Sequence, residues 1–443
     1  MTDPFFRLVW RWHFWAGLVA CPVLLVVAAT GGLYTFREEI EDARNAPLVF
    51  GEPVGERKPV SEQLAVVGRA YSGSKPTRVI LPADPTRSTA VVIEAAPERV
   101  VYVNPYTGDV LGDGPARSPF FGAVLTLHRS LFAGTFGRVV VELTTSWTLV
   151  LLVTGAYLWL PKRWTQLRGV WWPRLRAKPY TLLRDLHAVA GSYLLPVIGA
   201  VALTGLVFSV VWPWSVNRAT DGAANSPPAL RPTPVVSHHA PGSPAFALDA
   251  AAREARERFP NDTLTVQLPQ QPTEGFQITA RGRDQSITGW IGADRHTGAV
   301  LKGARADELP IAERARVAVF PIHIGSVGGW PTKVLAALAC AVLAWLGLSG
   351  VWMWLTRRPM GGSGLPHRPE EARVPKPAVA LILLLAVALP AVGLSLVVVL
   401  AGEWLVTRLR RPAARPLADE PPTPARVGVN AETRTARPDE AES

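Results

Sequence analysis

The chain has 443 residues, of which 48% are hydrophobic, and it carries a formal net charge of +11. In a soluble protein such a charge suggests nucleic-acid binding, but most Lys and Arg residues here flank long apolar stretches, where they act as topology signals. The composition therefore argues against a nucleic-acid partner and predicts a protein of the lipid membrane.

Five uncharged, apolar stretches are close to or above the roughly 20 residues that a helix needs to cross a bilayer. They cover residues 14–36, 143–160, 188–217, 334–356 and 378–402. The first four are predicted membrane spans, and the first is too long for a signal-peptide core, so we predict that it is retained. The last stretch is a predicted fifth span, but Pro390 near its middle also permits a kink or a re-entrant hairpin.

A basic segment, in which Asp185 is the acidic residue, separates the second and third stretches. Its basic residues are Lys162, Arg163, Arg168, Arg174, Arg176, Lys178 and Arg184. The positive-inside rule predicts that this segment and the N-terminus are cytoplasmic and that the segments after spans one and three lie outside. Arg408, Arg410 and Arg411 disagree with a count of five spans, so either the fifth stretch is a hairpin or the rule fails there.

The two outer segments share one order of predicted elements, a helix followed by short strands. The helices are predicted over 61–71 and 247–259, and the strands over 77–81, 89–95, 99–112, 264–268, 275–280 and 287–301. Both final runs contain a Thr-Gly turn between two strands, in VNPYTGDVL and ADRHTGAVL. Each segment is therefore predicted to be a small α+β module, and a Pro-rich linker precedes the second one.

An internal duplication relates the two halves of the chain. The register that places His13 on His187 also places Gly17 on Gly191, Pro22 on Pro196 and Thr30-Gly31 on Thr204-Gly205. A second register places His128 on His323, Gly155 on Gly350, Trp159 on Trp354 and Arg163 on Arg358. Repeats joined by an even number of spans share one orientation, so equivalent residues should face each other at equal depth across an axis along the membrane normal.

Four histidines thus form two predicted facing pairs at the ends of apolar stretches. Two facing imidazoles are the axial ligands that a low-spin haem b needs. We therefore predict two haem b sites, one formed by His13 and His187 at the cytoplasmic end and one by His128 and His323 at the outer end. The haems are expected to be non-covalently bound, because the chain has no C-x-x-C-H attachment motif.

Small and basic residues near these histidines complete the predicted sites. Gly17 and Gly191 lie one helical turn after the first pair and on the same helix face, where they leave room for a porphyrin. Arginines that could pair with the haem propionates are Arg11, Arg184 and Arg129. The positive-inside rule explains the first two of these arginines equally well.

Two other interpretations of the histidines remain open. A zinc or copper site normally adds carboxylate, thiolate or thioether ligands, and no Asp or Glu lies in the apolar interior of the spans. A histidine at the membrane interface, wetted by headgroups, needs no ligand at all, although the duplication makes this a weaker explanation for four residues. Histidines in linkers, turns or loops are predicted to be solvated; these are His238, His239, His296 and His367.

Several short motifs resemble one known family. They are LHRSL and FPIH at the outer histidines, RDLHAVAGSYLLP, and the span ends GAYLWLPKRW and GVWMWLTRRP. Together, over residues 7–405, they resemble the PepSY-associated transmembrane family of iron-regulated membrane proteins, which includes FoxB-like and PiuB-like siderophore reductases. The resemblance implies a bacterial inner membrane, periplasmic PepSY modules, two haems b and reduction of a ferric siderophore. One departure is IHIG at His323 where the first copy has LHRS, so no arginine follows that ligand.

The predicted fold is an α-helical polytopic membrane protein. Duplicated two-span units, giving four core spans plus a fifth, are expected to carry two small α+β PepSY-like periplasmic domains. The predicted segments are a first span (1–37), a periplasmic domain (38–118), an outer interfacial helix with the second span (119–163), a basic cytoplasmic loop (164–184), a third span (185–217), a linker with the second periplasmic domain (218–316), an outer interfacial segment with the fourth span (317–358), a cytoplasmic loop (359–377), a fifth span (378–406) and a disordered tail (407–443).

The predicted function is di-haem b electron transfer across the membrane, from a cytoplasmic donor or a membrane quinol to a periplasmic ferric siderophore. Reduction of Fe(III) would release the iron. The donor is expected to be another molecule, because the cytoplasmic loops contain no Gly-rich nucleotide or flavin motif. The alternatives are a non-redox PepSY protein that binds peptides or regulates a protease, and a haem protein that exchanges electrons with a quinone or a thiol.

Overall fold

The computed structural model describes residues 3–160, 165, 167–219, 230, 232–237, 247–359, 362–366 and 373–409. The helices are α1 (Pro4–Thr35), α2 (Arg37–Arg44), α3 (Ala46–Val49), α4 (Val60–Ala70), α5 (Pro119–Ser130), α6 (Gly134–Trp159), α7 (Pro179–Leu206), α8 (Val211–Ala219), α9 (Ala247–Arg258), α10 (Ile311–Ile324), α11 (Trp330–Arg357), α12 (Lys376–Ala388) and α13 (Pro390–Leu409). The strands are β1 (Pro76–Leu81), β2 (Thr89–Ile93), β3 (Arg99–Val103), β4 (Val110–Pro115), β5 (Thr263–Gln267), β6 (Phe276–Arg281), β7 (Ile287–Ala293) and β8 (Val300–Arg305). Some sequence predictions lie outside the described residues, namely those for Lys162, Arg163, His238, His239, His367 and the tail after residue 409.

Among the residues that the structure describes, four helices are long and apolar enough to cross a membrane, and they confirm the first four predicted spans. They are α1, α6, α7 and α11, with 32, 26, 28 and 28 residues. At 1.5 Å per residue even the shortest extends roughly 39 Å, which exceeds the hydrocarbon thickness of a bilayer. The chain is therefore a polytopic membrane protein.

The four spans pack so that two of them face each other across the bundle. Helix α1 packs against α6 and α11, and α7 packs against the same two helices. The shorter helix α5 lies beside α1 and α6, while α10 lies beside α7. Residues on the inward faces of α1 and α7 consequently border the centre of the bundle.

The third span is shorter than the predicted segment 185–217. Helix α7 ends at Leu206, and α8 follows as a separate helix. The carboxylate of Glu142 on α6, which is 1% exposed, accepts hydrogen bonds from three backbone N–H groups at the start of α8. The donors are Val210, Val211 and Trp212, at 2.9, 2.7 and 2.7 Å. Amides at a helix start have no partner within the helix, so this carboxylate from another helix stabilises the new start.

The predicted fifth span, 378–406, is not one continuous helix. Helices α12 and α13 are bent by 117° at the break between them, and Pro390 is the first residue of α13. Because proline lacks the N–H that would continue the preceding helix, the break lies where the sequence allowed a kink or re-entrant hairpin. The chain up to Ser395 forms one compact unit and the chain from Leu396 a second one, of which residues 396–409 are described and helical.

The predicted outer strands form one antiparallel sheet of eight strands in the order β4-β3-β2-β1-β5-β6-β7-β8. The sequence predicted two separate modules, but β1 pairs with β5, with Arg78 opposite Gln267 and Leu81 opposite Leu264. Both predicted Thr-Gly turns are present, and Gly108 and Gly298 adopt left-handed φ values of 81° and 74°. Edge pairing removes the two free strand edges that separate modules would expose.

One hydrophobic core lies under this joined sheet. Helices α4 and α9 cover the same face, and the fully buried Val67 of α4 and Ala251 of α9 belong to one cluster with Val79, Val101 and Ile278 of the strands. Asp249 of α9 also accepts hydrogen bonds from the backbone N–H and the hydroxyl of Ser61 at the start of α4. The two halves of the sheet region therefore fold as one body.

Polar contacts link the sheet region to α2 and to the segment between α10 and α11. Gln285, in the turn between β6 and β7, donates to Glu38 at 2.6 Å. Helix α2 is in turn held to α11, because the ammonium of Lys333, whose side chain is 11% exposed, donates to Glu39 at 2.6 Å. Ser326 donates to the backbone carbonyl of Asp284 in the same turn. These contacts hold the sheet above one end of the bundle, which is called the sheet side below.

Lys333→Met is expected to lower the thermal stability of the purified protein. Removal of one partner of a largely buried ion pair leaves the carboxylate of Glu39 uncompensated, which costs on the order of 3 kcal/mol. Thermal unfolding in detergent measures the effect, and Lys302→Met, at an exposed position of β8, is the control. Equal melting temperatures for the two variants would contradict a stabilising role for the pair.

Candidate functional site

His13 of α1 and His187 of α7 form a pair at the end of the bundle away from the sheet, and they are called the distal pair. Their ring centroids are 6.5 Å apart and their planes are inclined at 81°. Since α1 and α7 face each other across the bundle, the two equivalent positions of the duplication meet near its centre.

The Nδ1 atom of each distal ring is hydrogen-bonded to a hydroxyl group on a neighbouring span. Thr154 Oγ1 of α6 lies 2.9 Å from His13 Nδ1, and Ser349 Oγ of α11 lies 2.8 Å from His187 Nδ1. A hydrogen bond at one ring nitrogen fixes the ring orientation and leaves the other nitrogen for a metal. Nε2 is therefore the nitrogen that each ring can offer to a ligand in the centre.

A cavity of about 540 Å³ opens beside the distal pair. It has the size of a small-molecule or cofactor site. Gly17 and Gly191 line it, as do Gly155 and Gly350. A Cβ atom on Gly17 would meet only Leu151 of the surrounding side chains, at 3.8 Å, so the absence of a side chain there leaves open space.

Two arginines line the same cavity, but only one of them was predicted from the sequence. Arg184 and Arg357 are both lining residues. Arg184 also donates to the buried Asp185 at 3.0 Å, and Arg357 lies over the ring of Trp10 at 4.6 Å. Arg11 does not line the cavity, because residues two apart on a helix point to different faces. The two lining arginines bring positive charge to an otherwise largely apolar chamber.

His128 of α5 and His323 of α10 form the second pair, called the sheet-side pair. Their ring centroids are 6.4 Å apart and their planes are inclined at 52°. Each ring packs against the sheet-side part of a span, His128 against α1 and His323 against α7. From His13 to Thr30, which contacts His128, α1 rises roughly 25 Å. The two pairs are therefore separated by most of the bilayer's hydrocarbon thickness.

Backbone carbonyl groups accept hydrogen bonds from the sheet-side histidines. His128 Nδ1 lies 3.1 Å from the carbonyl oxygen of Val27, and His323 Nδ1 lies 3.0 Å from that of Val201. A carbonyl oxygen only accepts, so both Nδ1 atoms carry the hydrogen and both Nε2 atoms have a lone pair that can bind a metal. Hydroxyl oxygens lie close as well, that of Thr30 at 3.1 Å and that of Thr204 at 3.4 Å.

Glycines allow the sheet-side rings to approach the helix backbone. A Cβ atom on Gly31 would lie 3.0 Å from Cε1 of His128, and one on Gly205 would lie 3.0 Å from Cε1 of His323. Both distances are shorter than ordinary carbon contacts. The sequence registers had already paired these two glycines, and the structure supplies the reason for the residue type.

The surroundings of the sheet-side pair differ between its two halves. Arg129 follows His128 and is exposed on α5, whereas Ile324 follows His323. The ring of Phe208 lies 5.5 Å from that of His323 and 6.1 Å from that of Phe320. The predicted positive charge beside this pair is therefore present on one side, and aromatic rings lie on the other.

The spacing of both pairs fits a metal held between two imidazoles. An ion about 2.0 Å from each of two ring nitrogens separates the ring centroids by roughly 6 Å. Within the described residues, no group of three or more His, Cys, Asp or Glu side chains could hold a metal ion. Each pair thus supplies two protein ligands, the number that a bis-histidine haem uses and fewer than zinc normally takes.

The residues that orient the histidines were not predicted from the sequence. Thr154 and Ser349 occupy matched positions in the register that pairs His128 with His323, and that coincidence of hydroxyls was a usable signal. Arg357 gave no such signal, because its charge served equally well as a topology marker. Its place at the cavity depends on how α11 rotates within the bundle.

The chain is similar to a known family of membrane proteins. The chain matches the family described as the PepSY-associated TM region over residues 10–357, a range that includes all four histidines. It is also 26% identical over 268 residues to a Pseudomonas aeruginosa protein described as the uncharacterized protein PA4219, an alignment that covers 54% of this chain and 64% of the relative. The match to the family extends over most of the chain, and the protein therefore belongs to the PepSY-associated transmembrane family.

Proposed function

We propose that the protein is a di-haem b oxidoreductase that reduces a ferric siderophore outside the cytoplasmic membrane. The observation that carries this proposal is the repeated histidine geometry, with ring centroids 6.5 and 6.4 Å apart. In all four rings Nδ1 has a hydrogen-bond partner on a neighbouring helix, so all four Nε2 atoms remain available. Four oriented imidazoles in two facing pairs are not required for helix packing, but they are what two bis-histidine haems need.

Haem b bound between the histidines would supply one-electron chemistry at each end of the bundle. The chain's own residues would hold and orient it. His13 and His187 are the proposed ligands at the distal site, and His128 and His323 at the sheet side. The glycines of the distal cavity make room for a flat ligand, and the apolar spans exclude water from it.

Arginine side chains would pair with the propionate groups of these haems, because guanidinium and carboxylate groups form strong charge-assisted hydrogen bonds. At the distal site Arg184 and Arg357 line the cavity and are the proposed partners. At the sheet-side site Arg129 is the proposed partner. The propionate-pairing role predicted for Arg11 rests on its sequence position alone.

The duplication and the charge distribution support the orientation that we propose. Equivalent histidines lie on helices that occupy equivalent places, α1 with α7 and α5 with α10. Basic residues near the distal pair, including Arg168, Arg174 and Arg176, favour a cytoplasmic location for that end. The sheet region would then be a duplicated pair of PepSY-like halves in the periplasm of a bacterial inner membrane.

The substrate part of the proposal rests on family resemblance and on coordination chemistry. Hard oxygen donors bind Fe(III) better than Fe(II), so reduction weakens a ferric siderophore complex and releases iron without destroying the carrier. The electron donor would be a cytoplasmic molecule or a membrane quinol, and membrane lipid surrounds the spans. The sheet-side pair, beside the periplasmic region, is the proposed point of contact with the acceptor.

Reoxidation of the reduced protein by a ferric siderophore tests this function. Detergent-purified protein should show two haem b centres, and after reduction with dithionite and removal of the excess it should be reoxidised by at least one of several ferric siderophores. A ferrous chelator should capture iron in proportion to the haem oxidised. His128→Ala and His323→Ala should stop the reaction while the distal centre stays reduced.

The other outcomes of that experiment separate the alternatives. If ferric siderophores leave the reduced haems unchanged while a quinone or a disulfide reoxidises them, the protein is a quinone- or thiol-linked redox protein. If the purified protein contains no haem, the proposal fails, and a non-redox PepSY protein that binds peptides or regulates a protease replaces it.

A further inference from the structure

The two histidine pairs differ in the chemical groups that accept their Nδ1–H hydrogen bonds. In the distal pair the acceptors are side-chain hydroxyls, those of Thr154 and Ser349. In the sheet-side pair each ring has a main-chain carbonyl as an acceptor, that of Val27 or Val201. Within the described residues, no backbone acceptor accompanies the distal hydroxyls. The two repeats thus share the histidines but differ in the groups that accept the Nδ1–H hydrogen bonds.

The hydroxyl groups of the distal site are themselves oriented by the helices that carry them. Thr154 Oγ1 donates to the carbonyl of Val150 at 2.9 Å, and Ser349 Oγ donates to the carbonyl of Trp345 at 2.6 Å. Because each hydroxyl hydrogen is used in this way, each oxygen presents a lone pair to its histidine. The ring N–H is therefore the donor in both distal hydrogen bonds.

The sheet-side arrangement depends on the backbone. Thr30 and Thr204 also direct their hydroxyl hydrogens to their own helices, at 2.6 and 2.7 Å from the carbonyls of the fourth preceding residues. If either hydroxyl is removed, the carbonyl acceptor of the histidine remains. Close approach to that carbonyl is possible because Gly31 and Gly205 carry no Cβ atom.

Hydrogen bonds to the second nitrogen of an axial histidine change the electronic properties of the metal. An acceptor at Nδ1–H makes the imidazole more basic, and a more basic ligand stabilises the higher oxidation state of iron. The reduction potential of a haem accordingly depends on such hydrogen bonds. In a low-dielectric interior the effect of one acceptor is larger than in water.

We propose that Thr154 and Ser349 are positioning residues that lower the reduction potential of the distal centre, whereas main-chain carbonyls perform this role at the sheet-side centre. The inference rests on the proposed haem sites. It implies that one hydroxyl substitution retunes the distal centre, while the sheet-side centre is insensitive to the equivalent change. Two centres with a common origin could thus acquire different potentials by substitution at one end alone.

Spectroelectrochemical titration of the full-length protein tests the proposal. The distal potential is measured alone in a His128→Ala background, and the sheet-side potential alone in a His13→Ala background. Thr154→Val and Ser349→Ala should each shift the distal potential upward, because the imidazole loses its acceptor. Thr154→Ser and Ser349→Thr, which keep a hydroxyl, should restore the original value.

The matched controls are Thr30→Val and Thr204→Val, which remove a hydroxyl beside the sheet-side rings. They should leave the sheet-side potential close to its original value, whereas Gly31→Ala, which pushes the His128 ring from its carbonyl, should shift it upward. Loss of distal haem in Thr154→Val with full retention in Thr154→Ser would also support the assignment, because only the hydroxyl distinguishes these variants in hydrogen bonding.

Two results would overturn the inference. One is an unchanged distal potential in haem-loaded Thr154→Val and Ser349→Ala. The other is a shift in Thr30→Val as large as that in Thr154→Val. Neither result affects the proposed function, which fails only if the wild-type protein lacks the haems or does not reduce the siderophore.

Discussion

The His13→Ala variant is expected to purify with one of the two haem b centres missing and the other intact. The substitution leaves His187 without a facing ligand, and one imidazole cannot complete a bis-histidine site. The sheet-side pair lies roughly 25 Å away along α1 and shares no ligand with the distal pair. Haem content per chain and the reduced-minus-oxidised absorption spectrum measure the loss.

Three further variants test which histidines belong to the same haem site. His187→Ala should remove the same spectroscopic centre as His13→Ala, and His128→Ala should remove the other one. His296→Ala, at a histidine in the turn between β7 and β8, is the control and should retain both centres. The assignment of the pairs is wrong if His13→Ala and His128→Ala abolish the same centre.

Gly17→Leu is expected to prevent haem from binding at the distal site while the protein still inserts in the membrane. The leucine side chain would extend into the open space beside His13 and fill it, because a Cβ atom on Gly17 meets only Leu151 of the surrounding side chains, at 3.8 Å. An added apolar side chain does not weaken the hydropathy of the span. The measurements are haem content and the amount of folded protein in detergent.

Two other glycine substitutions, Gly17→Ala and Gly199→Leu, are the controls for Gly17→Leu. Gly17→Ala adds only a Cβ atom, which the structure accommodates at ordinary contact distance, so more haem should remain than in Gly17→Leu. Gly199→Leu places the same side chain on α7 at a glycine that does not line the cavity, and both haems should remain. Full haem content in Gly17→Leu would show that the glycine serves helix packing instead.

Some helices and strands were predicted from the sequence, whereas the end of one helix and one strand pairing were not. The helix predicted over 61–71 is α4, and the strand predicted over 264–268 is β5, because short-range hydrophobic periodicity encodes such elements. The end of α7 was not predicted, since Glu142, which caps α8, lies on another span. The β1–β5 pairing was not predicted either, because it joins edges that are remote in the chain.

Some residues of the two histidine sites could likewise be predicted from the sequence, and others could not. The registers that match His13 with His187 and His128 with His323 identified the histidines, because duplication makes a functional residue recur in an otherwise generic apolar background. They could not show that Thr154 orients a histidine on α1, or that Arg357 rather than Arg11 lines the cavity. Those facts depend on which face each span turns inward, and hydropathy is nearly uniform around these helices.

The sequence by itself determined the membrane class, the positions of four spans, the strands between the spans and the four histidines that repeat. Each of these follows from apolar length, local periodicity or internal repetition, all of which are properties of neighbouring or matched residues. The tertiary structure alone decided the merged sheet, the end of the third span, the cavity and the acceptor of each histidine. Each of these requires contacts between residues distant in the chain, and such contacts are set by how helices rotate and strands pair once packed.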